Sequence, residues 1–287
     1  MKYPVPGKTV VVTGCSTGIG RAAAALLKDQ GWQVVATARK DGDLESLSAE
    51  GFFAVKLDTA DAGSVARAAD EILDRLGGTV GVVVNNAGFG QVGAIEDLSR
   101  ELLDYQFQVN VIGMQDFTNR LLPAMRRQGY GRIINISSVL GQVSLPYLGV
   151  YSASKFAMEA LSDALRVELR GTGIAVSLVE PGPIATAFGE NAAGRAEATL
   201  NADRTAHRAY YEAELRQRKM SGIRPARFTL GPEAVARKIL HAASSPRPRI
   251  RYPVTLPAYL GLIVRRFAPA RVIDAIMAKK VTRTQGK

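Results

Sequence analysis

Tyr151 and Lys155 bring a phenol and an ammonium group within four positions of each other, in the stretch YSASK (151–155). On a helix, residues i and i+4 share one face, so both side chains can point into one cleft. An isolated tyrosine has a pKa of about 10, and a neighbouring cation lowers that pKa by stabilising the phenolate. The spacing therefore indicates a candidate acid–base pair, although an ordinary amphipathic surface helix shows the same spacing.

Short runs of β-branched residues alternate with longer helical patterns from residue 8 to about residue 182. The runs cover 9–13, 33–38, 52–57, 80–85, 132–137 and 174–179, and the helical patterns between them include 19–30, 62–76, 99–128 and 151–170. Most runs are apolar throughout, which is typical of strands buried on both faces. The alternation predicts a single-domain α/β fold with a parallel sheet and helices on both faces. Further helices are predicted over 190–220 and 231–244, and a last strand within 246–254.

The composition is that of an ordinary globular protein, with 47% hydrophobic and 22% charged residues. A single cysteine, Cys15, excludes an intrachain disulfide and predicts a cytoplasmic location, and two distant histidines argue against a histidine metal site. The N-terminal sequence lacks the apolar stretch of a secretory signal. The apolar run 252–264 contains two prolines and is too short to span a bilayer.

The first predicted strand runs directly into the glycine-rich stretch TGCSTGIG (13–20), which is followed by a helix. Glycines there permit a tight turn, close approach of backbone N–H groups to a pyrophosphate, and packing of the helix on the strand. In this context the pattern favours a dinucleotide site over a simple turn. The candidate contacts are Gly14, Ser16, Thr17, Gly18, Ile19 and Gly20.

Six motifs in this order and spacing resemble the short-chain dehydrogenase/reductase family, over residues 8 to about 186. They are TGCSTGIG, NNAG (85–88), Asn110, Ser138, YSASK and PGPIAT (181–186). Within that family the sequence is most similar to the steroid and retinol dehydrogenase type. The resemblance implies a Rossmann fold, with a doubly wound sheet of seven parallel strands, and a nicotinamide cofactor.

The resemblance also implies a catalytic tetrad of Asn110, Ser138, Tyr151 and Lys155. Tyr151 would give a proton to a carbonyl oxygen as hydride reaches the carbon. Lys155 would lower the pKa of Tyr151 and hold the nicotinamide ribose. Ser138 would polarise the substrate oxygen, and Asn110 would hold a water that relays protons from Lys155.

Further cofactor contacts follow from the resemblance alone. They are Asp58 and Thr59 near the adenine, Asn86, Ala87 and Gly88 near the adenine-side ribose, and Pro181, Gly182, Ile184 and Thr186 near the nicotinamide. A solvated carboxylate in a loop is the competing interpretation of Asp58. The NNAG stretch taken alone would equally fit a plain loop of turn formers.

The end of the second strand bears on which nicotinamide cofactor is bound. A carboxylate there usually holds a free ribose 2′-OH, whereas a 2′-phosphate needs a cation. Ala38 and Arg39 occupy this place, which predicts NADP(H) with Arg39, helped by Lys40, on the phosphate. Asp41 or Asp43 leaves NAD(H) open.

The substrate is predicted to be a hydrophobic ketone, aldehyde or alcohol, because the segment 138–151 and Phe89 supply a mostly apolar lining. Residues 187–228 are predicted to form a lid over the substrate. Packing of the lid on the body is an equal alternative for its candidate contacts, Tyr210, Tyr211, Met220 and Phe228.

The net charge of +11 is concentrated in the last third of the chain. Residues 204–287 carry 19 Lys and Arg against 4 Asp and Glu. A solvated basic face explains this excess, and an amphipathic helix on an anionic membrane is the alternative for the extension 246–287. Nucleic acid is not expected as a partner, because no binding module is recognised. The family implies a homodimer or homotetramer through the helices at 99–128 and 151–170.

The sequence thus predicts an NADP(H)-dependent oxidoreductase that interconverts a hydrophobic carbonyl compound and its alcohol. The alternative is a non-catalytic dinucleotide-binding sensor or scaffold with the same fold.

Overall fold

A computed structural model describes residues 2–200, 205–213 and 228–285. All of its named strands lie in one parallel sheet of order β3-β2-β1-β4-β5-β6-β7. The strands are β1 Thr9–Val12, β2 Gln33–Ala38, β3 Phe53–Lys56, β4 Val82–Asn85, β5 Gly131–Ile136, β6 Ile174–Glu180 and β7 Arg251–Pro253. The predicted Rossmann sheet is confirmed, including the last strand.

Helices cover both faces of the sheet. In the described residues they are α1 Gly18–Asp29, α2 Asp41–Ala49, α3 Ala62–Arg75, α4 Arg100–Phe107, α5 Gly113–Gln128, α6 Gly149–Glu168, α7 Phe188–Thr199, α8 Pro232–Ser244, α9 Leu256–Phe267 and α10 Ala270–Gln285. None of these described helices is long and apolar enough to cross a bilayer.

Two helical predictions differ from the structure. The pattern at 99–128 forms α4 and α5 with a π-helical turn, Gln108–Ile112, between them. The pattern at 190–220 gives α7, which ends at Thr199, and a helical segment at 208–213. The remaining predicted positions, Met220 among them, lie outside the described residues.

The core consists of an apolar layer on each face of the sheet. Along β1, Val10 and Val12 point to the layer that contains α1 and α8, and Val11 points to the layer that contains α3 and α5. Successive residues of a strand face opposite sides, so a strand buried on both faces must be apolar at every position. This explains why the strands are continuous apolar runs in the sequence.

The strand order reverses between β1 and β4, which are neighbours in the sheet. In open α/β sheets, ligands bind beyond the carboxyl ends of the strands at such a switch point. The glycine-rich loop follows β1 and the NNAG loop follows β4. The fold therefore brings these two motifs to the same crevice.

Candidate active site

The glycines of the loop after β1 lie where larger side chains cannot fit. Gly14 has φ +71°, and a methyl group on it would lie 2.8 Å from Cα of Ala87. A methyl group on Gly20 would lie 2.2 Å from the carbonyl oxygen of Gly14. Such distances exclude a Cβ atom without movement of the backbone. The loop therefore forms the tight turn that its glycines predict, and the approach of a pyrophosphate to it stays a prediction.

The beginning of α1 offers unpaired N–H groups to an anion. Ser16 and Thr17 are exposed, and the side chain of the N-cap residue Thr17 makes no capping hydrogen bond within the described structure. Helix N-termini with free donors attract phosphate groups. Ile19, the other predicted contact, packs against the core layer beneath the loop. The loop therefore fits the pyrophosphate of a dinucleotide.

Thr13 joins the glycine-rich loop to the NNAG loop. Its hydroxyl accepts hydrogen bonds from the backbone N–H groups of Asn86 and Ala87, each at 2.9 Å. The side-chain amide of Asn86 donates to the carbonyl oxygens of Thr13, at 2.9 Å, and Gly14, at 3.1 Å. The sequence analysis did not single out Thr13; its only signal is its place at the end of the first strand.

Asn110 lies in the π-helical turn and is fully buried. Its Oδ1 accepts a hydrogen bond from the N–H of Phe89 at 3.0 Å, and its Nδ2 donates to the Phe89 carbonyl at 2.9 Å and to Oγ of Ser154 at 3.1 Å. A methyl group on Gly88 would lie 3.1 Å from Oδ1 of Asn110. Asn110 therefore ties the NNAG loop to the helix that carries Tyr151, and its water-holding role stays a prediction.

Tyr151 and Lys155 lie one turn apart on α6, as their spacing predicts, and both are buried. The Lys155 Nζ is 5.8 Å from the centroid of the Tyr151 ring and donates a hydrogen bond to the carbonyl oxygen of Ile136 at 2.7 Å. That bond fixes the ammonium group at the end of β5. The phenol and the cation thus share one site at the carboxyl end of β5, on the same edge of the sheet as the glycine-rich loop after β1.

Ser138 follows β5 and completes this group of side chains. Its Oγ accepts a hydrogen bond from the N–H of Leu140 at 3.1 Å and donates to the carbonyl oxygen of Pro181 at 3.5 Å. The Ser138 hydroxyl is also close enough to the Tyr151 phenol to lower the pKa of Tyr151. The structure therefore brings Ser138, Tyr151 and Lys155 together, as the sequence predicts.

Burial shifts the pKa values of the two titratable groups in opposite directions. It raises the pKa of Tyr151 to about 12, and the Ser138 hydroxyl opposes this rise. It lowers the pKa of Lys155 to about 8, and the negative charge of Glu159 opposes this fall. The sequence predicts a lowered tyrosine pKa; in this arrangement the loss of solvation raises the pKa of Tyr151, and the opposing effect comes from Ser138.

The segment 181–186 lies beside the glycine-rich loop. A methyl group on Gly18, which has φ +61°, would lie 3.2 Å from Cγ2 of Thr186. Ile184 forms a parallel bridge with Leu230. Thr255, which immediately precedes α9, packs closely against the segment 181–186. A methyl group on Gly182 would lie 2.1 Å from Oγ1 of Thr255.

The end of the crevice next to β2 and β3, where the adenine is predicted to lie, is bounded by charged side chains. The exposed Arg39 follows β2 and donates a hydrogen bond to the Tyr105 hydroxyl at 3.2 Å. Asp41 forms an ion pair with Lys56 at 2.7 Å. A concavity of about 370 Å³ is lined by Arg39, Lys56, Asp58, Asp61, Ser64, Arg67, Ala68 and Glu71.

Asp58 and Thr59 are held firmly at this end. The Asp58 carboxylate accepts a hydrogen bond from the N–H of Ala60 at 3.0 Å. Thr59 is buried, and a methyl group on Gly113 at the start of α5 would lie 1.7 Å from the Thr59 carbonyl oxygen. Asp58 therefore has a structural role in its loop in addition to its predicted contact with adenine.

Aromatic side chains of the predicted lid pack on the body of the protein. The rings of Tyr147 and Tyr210 stack with centroids 3.4 Å apart, and the Tyr211 hydroxyl donates to Oδ2 of Asp97 at 2.7 Å. Phe188, which the sequence analysis missed, lies with its ring centroid 5.5 Å from that of Tyr151. Its position two residues after the PGPIAT motif was the available signal.

Comparison with known proteins identifies the family. A family model described as short chain dehydrogenase matches residues 8–196. The chain belongs to the short-chain dehydrogenase/reductase family. As a member of this family, the protein is an oxidoreductase, and the predicted resemblance is confirmed.

Several relatives of this short-chain dehydrogenase/reductase align over most of their length. The "Uncharacterized oxidoreductase YbbO" of Escherichia coli (strain K12) is 45% identical over 270 residues, which cover 94% of each chain. The 17-beta-hydroxysteroid dehydrogenase type 1 of Homo sapiens is 36% identical over 280 residues, covering 90% of this chain and 80% of the relative. A short chain dehydrogenase/reductase from Burkholderia phymatum, solved in complex with NAD, is 29% identical, with a TM-score of 0.74 and 93% of each chain covered.

Proposed function

We propose that the protein is an NADP(H)-dependent oxidoreductase that interconverts a hydrophobic ketone or aldehyde and the corresponding alcohol. The observation that carries this proposal is the buried group formed by Ser138, Tyr151 and Lys155 beside a glycine-rich loop that fits a dinucleotide. A sensor or scaffold without turnover would not need to keep these three side chains together.

Each side chain of the group has a separate task in this proposal. With a pKa of about 12, the Tyr151 phenol is protonated at neutral pH and serves as the proton donor to a carbonyl oxygen. Ser138 donates a hydrogen bond to the same oxygen and polarises the C=O bond. Lys155, with a pKa of about 8, is mostly charged at neutral pH and stabilises the phenolate that proton transfer leaves behind. A bound nicotinamide supplies or accepts the hydride.

Tyr151→Phe tests the proposed reaction. Loss of the proton donor is expected to lower NADPH-dependent carbonyl reduction by about 1,000-fold, within the range for general acid–base catalysis. The fluorescence-measured Kd for NADPH should change less than about twofold, since the ring remains. Tyr259→Phe, at an exposed position on α9, is the matched control and should keep full activity. Turnover by Tyr151→Phe within tenfold of the unaltered enzyme would contradict the assigned role, and no turnover of a panel of hydrophobic carbonyl compounds would favour the sensor or scaffold.

NADP(H) is the proposed cofactor because the residue that follows β2 is an exposed cation, Arg39. Arg39 is oriented by Tyr105, and the carboxylate of Asp41 is paired with Lys56. A 2′-phosphate would gain a charge-assisted hydrogen bond from the guanidinium group. NAD(H), which the relative from Burkholderia phymatum holds, is the alternative.

Arg39→Gln tests the cofactor preference. The Kd for NADPH is expected to rise about 10-fold or more, since a hydrogen bond to a charged group contributes roughly 1.5–3 kcal/mol. The Kd for NADH should stay within about twofold. Arg126→Gln, on an exposed arginine of α5, is the control for a general loss of positive charge. Tighter binding of NADH than of NADPH by the unaltered protein would refute the assignment.

A hydrophobic substrate is favoured by the wall next to the phenol. Leu140 and Val143 form a buried apolar cluster with Tyr151, and Leu145 and Leu148 pack against it. An apolar wall with a few polar groups selects ligands by shape and hydrophobic contact. The substrate class remains a prediction. The cytoplasmic location inferred from the single cysteine remains one too.

The outer surface of α6 supports the proposed homodimer or homotetramer. Leu161 and Val167 are exposed there, as is Ile112 in the π-helical turn. Exposed large apolar side chains on helices are typical of an interface between subunits. Light scattering should show a dimer or tetramer that Val167→Asp weakens; a monomer at micromolar concentration would contradict the proposal.

The exposed face of α9 favours contact with an anionic membrane over a purely solvated basic face. Its exposed apolar residues recur at helical spacing, namely Leu256, Tyr259, Leu260, Ile263 and Phe267. Basic residues of the extension 246–287 would add attraction to anionic lipids. Co-sedimentation with anionic vesicles should be lost in the double variant Leu260→Ser/Ile263→Ser but kept in Phe53→Ser, an exposed apolar position on β3 at the other edge of the sheet. No binding to anionic vesicles at low salt would end this proposal.

A further inference from the structure

A buried pair of carboxyl groups lies behind the catalytic lysine. Glu159 follows Lys155 by one turn on α6, and Glu180 is the last residue of β6. Both are buried, with 6% and 0% of their surface exposed. Burial of two acids side by side is costly unless cations or protons neutralise them. Neither glutamate belongs to the proposed tetrad.

Arg251 of β7 provides the cation. Its Nε and Nη2 donate to Oε2 of Glu159 at 3.2 and 3.0 Å, and its Nε lies 3.4 Å from Oε1 of Glu180. The same Nη2 donates to Oδ2 of Asp163 at 2.7 Å, and Arg166 pairs with the other oxygen of Asp163 at 3.1 Å. One guanidinium therefore serves two buried acids and a half-exposed third.

The polar neighbours leave part of each buried acid unpaired. Gln142 donates to Oε1 of Glu180 at 3.1 Å. In the described part of the chain, Oε1 of Glu159, Oε2 of Glu180 and Oγ of Ser137 are buried and lack a hydrogen bond of ordinary geometry. A proton on one carboxyl group turns it into a donor that can satisfy such an acceptor. The geometry thus fits a pair that holds one proton.

The electrostatics of the cluster agree with this geometry. Burial is the larger cause that raises the pKa of Glu180 to about 7, and repulsion by Glu159 adds to it. Burial also raises the pKa of Glu159, against the opposing effects of Ser137 and Arg251. Two carboxyl groups this close titrate in separate steps, so once the first has ionised the pair keeps one proton, and a single negative charge, until the pH approaches about 7.

We propose that Glu159 and Glu180 are positioning residues that share one proton, and that the place of this proton sets the negative charge beside Lys155 and with it the pH range of catalysis. This inference rests on the proposed function. With the proton on Glu180, the charge lies on Glu159, one turn from Lys155. With the proton on Glu159, the charge lies on Glu180, which is on another element.

The proposal predicts opposite shifts for two conservative variants. Glu159→Gln keeps the charge only on Glu180, so the alkaline limb of the kcat profile for NADPH-dependent reduction should move to lower pH by about one unit. Glu180→Gln keeps the charge only on Glu159, so the same limb should move to higher pH. The Kd for NADPH should change little in either variant, because neither side chain belongs to the predicted cofactor contacts.

Asp163→Asn separates a positioning role from a purely structural one. Asp163 contacts the same Arg251 but is half-exposed and two turns from Lys155. Its substitution should lower the Tm without moving the alkaline limb. Glu159→Asp should restore the unaltered profile in part. An alkaline limb that is unchanged in both glutamine variants would overturn the proposal. An alkaline limb that moves to lower pH in both variants would overturn proton sharing, because the pair in the unaltered enzyme would then carry two charges.

Infrared spectroscopy of the unaltered holoenzyme keeps the proposal testable if a variant fails to fold. A carboxylic-acid C=O band from a single buried group is expected near neutral pH, and it should disappear on titration to alkaline pH. The lack of such a band would overturn proton sharing. Full activity of Tyr151→Phe would refute the proposed function while leaving this band in place, so the two failures are distinguishable.

Discussion

The two halves of the sheet handle buried polar groups differently. In the half from β1 to β4, buried polar side chains such as Thr13, Thr37 and Asn85 are neutral. Among the described residues, all buried charged side chains lie from β5 onward, and they are Arg132, Lys155, Glu159 and Glu180. In the first half, backbone groups and glycines, which have no side chain, form the concave loop after β1. The second half builds a charged interior in which each ion depends on a partner.

Arg132 of β5 illustrates the second half outside the active site. It is almost completely buried, and burial lowers its pKa to about 10. Its guanidinium donates to the carbonyl oxygens of Tyr3 and Ser245. A buried cation of this kind links the N-terminal segment to the end of α8. The difference between the halves suggests that shape sets cofactor binding and that charge sets reactivity.

The largest effect is expected from adding one methyl group to the neutral half. Gly20→Ala places Cβ 2.2 Å from a backbone oxygen, so the loop must shift. We expect a loss of at least about 3 kcal/mol in the free energy of unfolding or of cofactor binding, at the upper end for overpacking. Gly42→Ala, where a Cβ would meet nothing within 4 Å, is the control and should be neutral or stabilising. Urea unfolding and NADPH titration measure the two free energies, and a Gly20→Ala variant with both an unchanged stability and an unchanged Kd would contradict the comparison.

A smaller effect is expected from removing the shared cation of the charged half. Arg251→Met leaves Glu159 and Glu180 without their guanidinium, and we expect a loss of about 3 kcal/mol in the free energy of unfolding, at the low end for a broken buried pair because the acids can take up a proton. Arg120→Met breaks only the half-exposed pair with Asp116 and should cost less than about 1 kcal/mol. Equal losses in urea unfolding would show that burial makes no difference.

The smallest effect concerns the pH dependence of stability. The pKa of Glu180 is about 7 in the folded protein, above the ordinary glutamate value of 4.5, so the folded state retains this proton to higher pH than the unfolded chain does. The stabilisation is therefore present below pH 4.5 and is lost as the pH rises towards 7. The Tm of the unaltered protein minus that of Glu180→Gln should fall across this range. A difference that is flat, or that rises with pH, would contradict the assignment.

The neutral half could be predicted from sequence because its signals are local. Strand β2 begins and ends where the apolar run predicts, and Gly14 and Gly20 stand next to the strand and helix that require them. The ion pair between Arg251 and Glu159 could not be predicted, because the periodicity of apolar residues does not show which charged residues distant in the sequence lie close together in the fold. The raised pKa of Tyr151 and the π-helical turn were likewise hidden, since the first depends on tertiary burial and the second on backbone hydrogen-bond register.

The position of β7 at the sheet edge has a consequence for how the protein is made. A ribosome completes the first six strands before it adds Arg251, the residue that neutralises Glu159 and Glu180. The two buried acids near Lys155 therefore receive their shared cation only when the final strand joins the sheet edge. Until then, one turn of α6 carries a buried acid whose charge has no arginine to balance it.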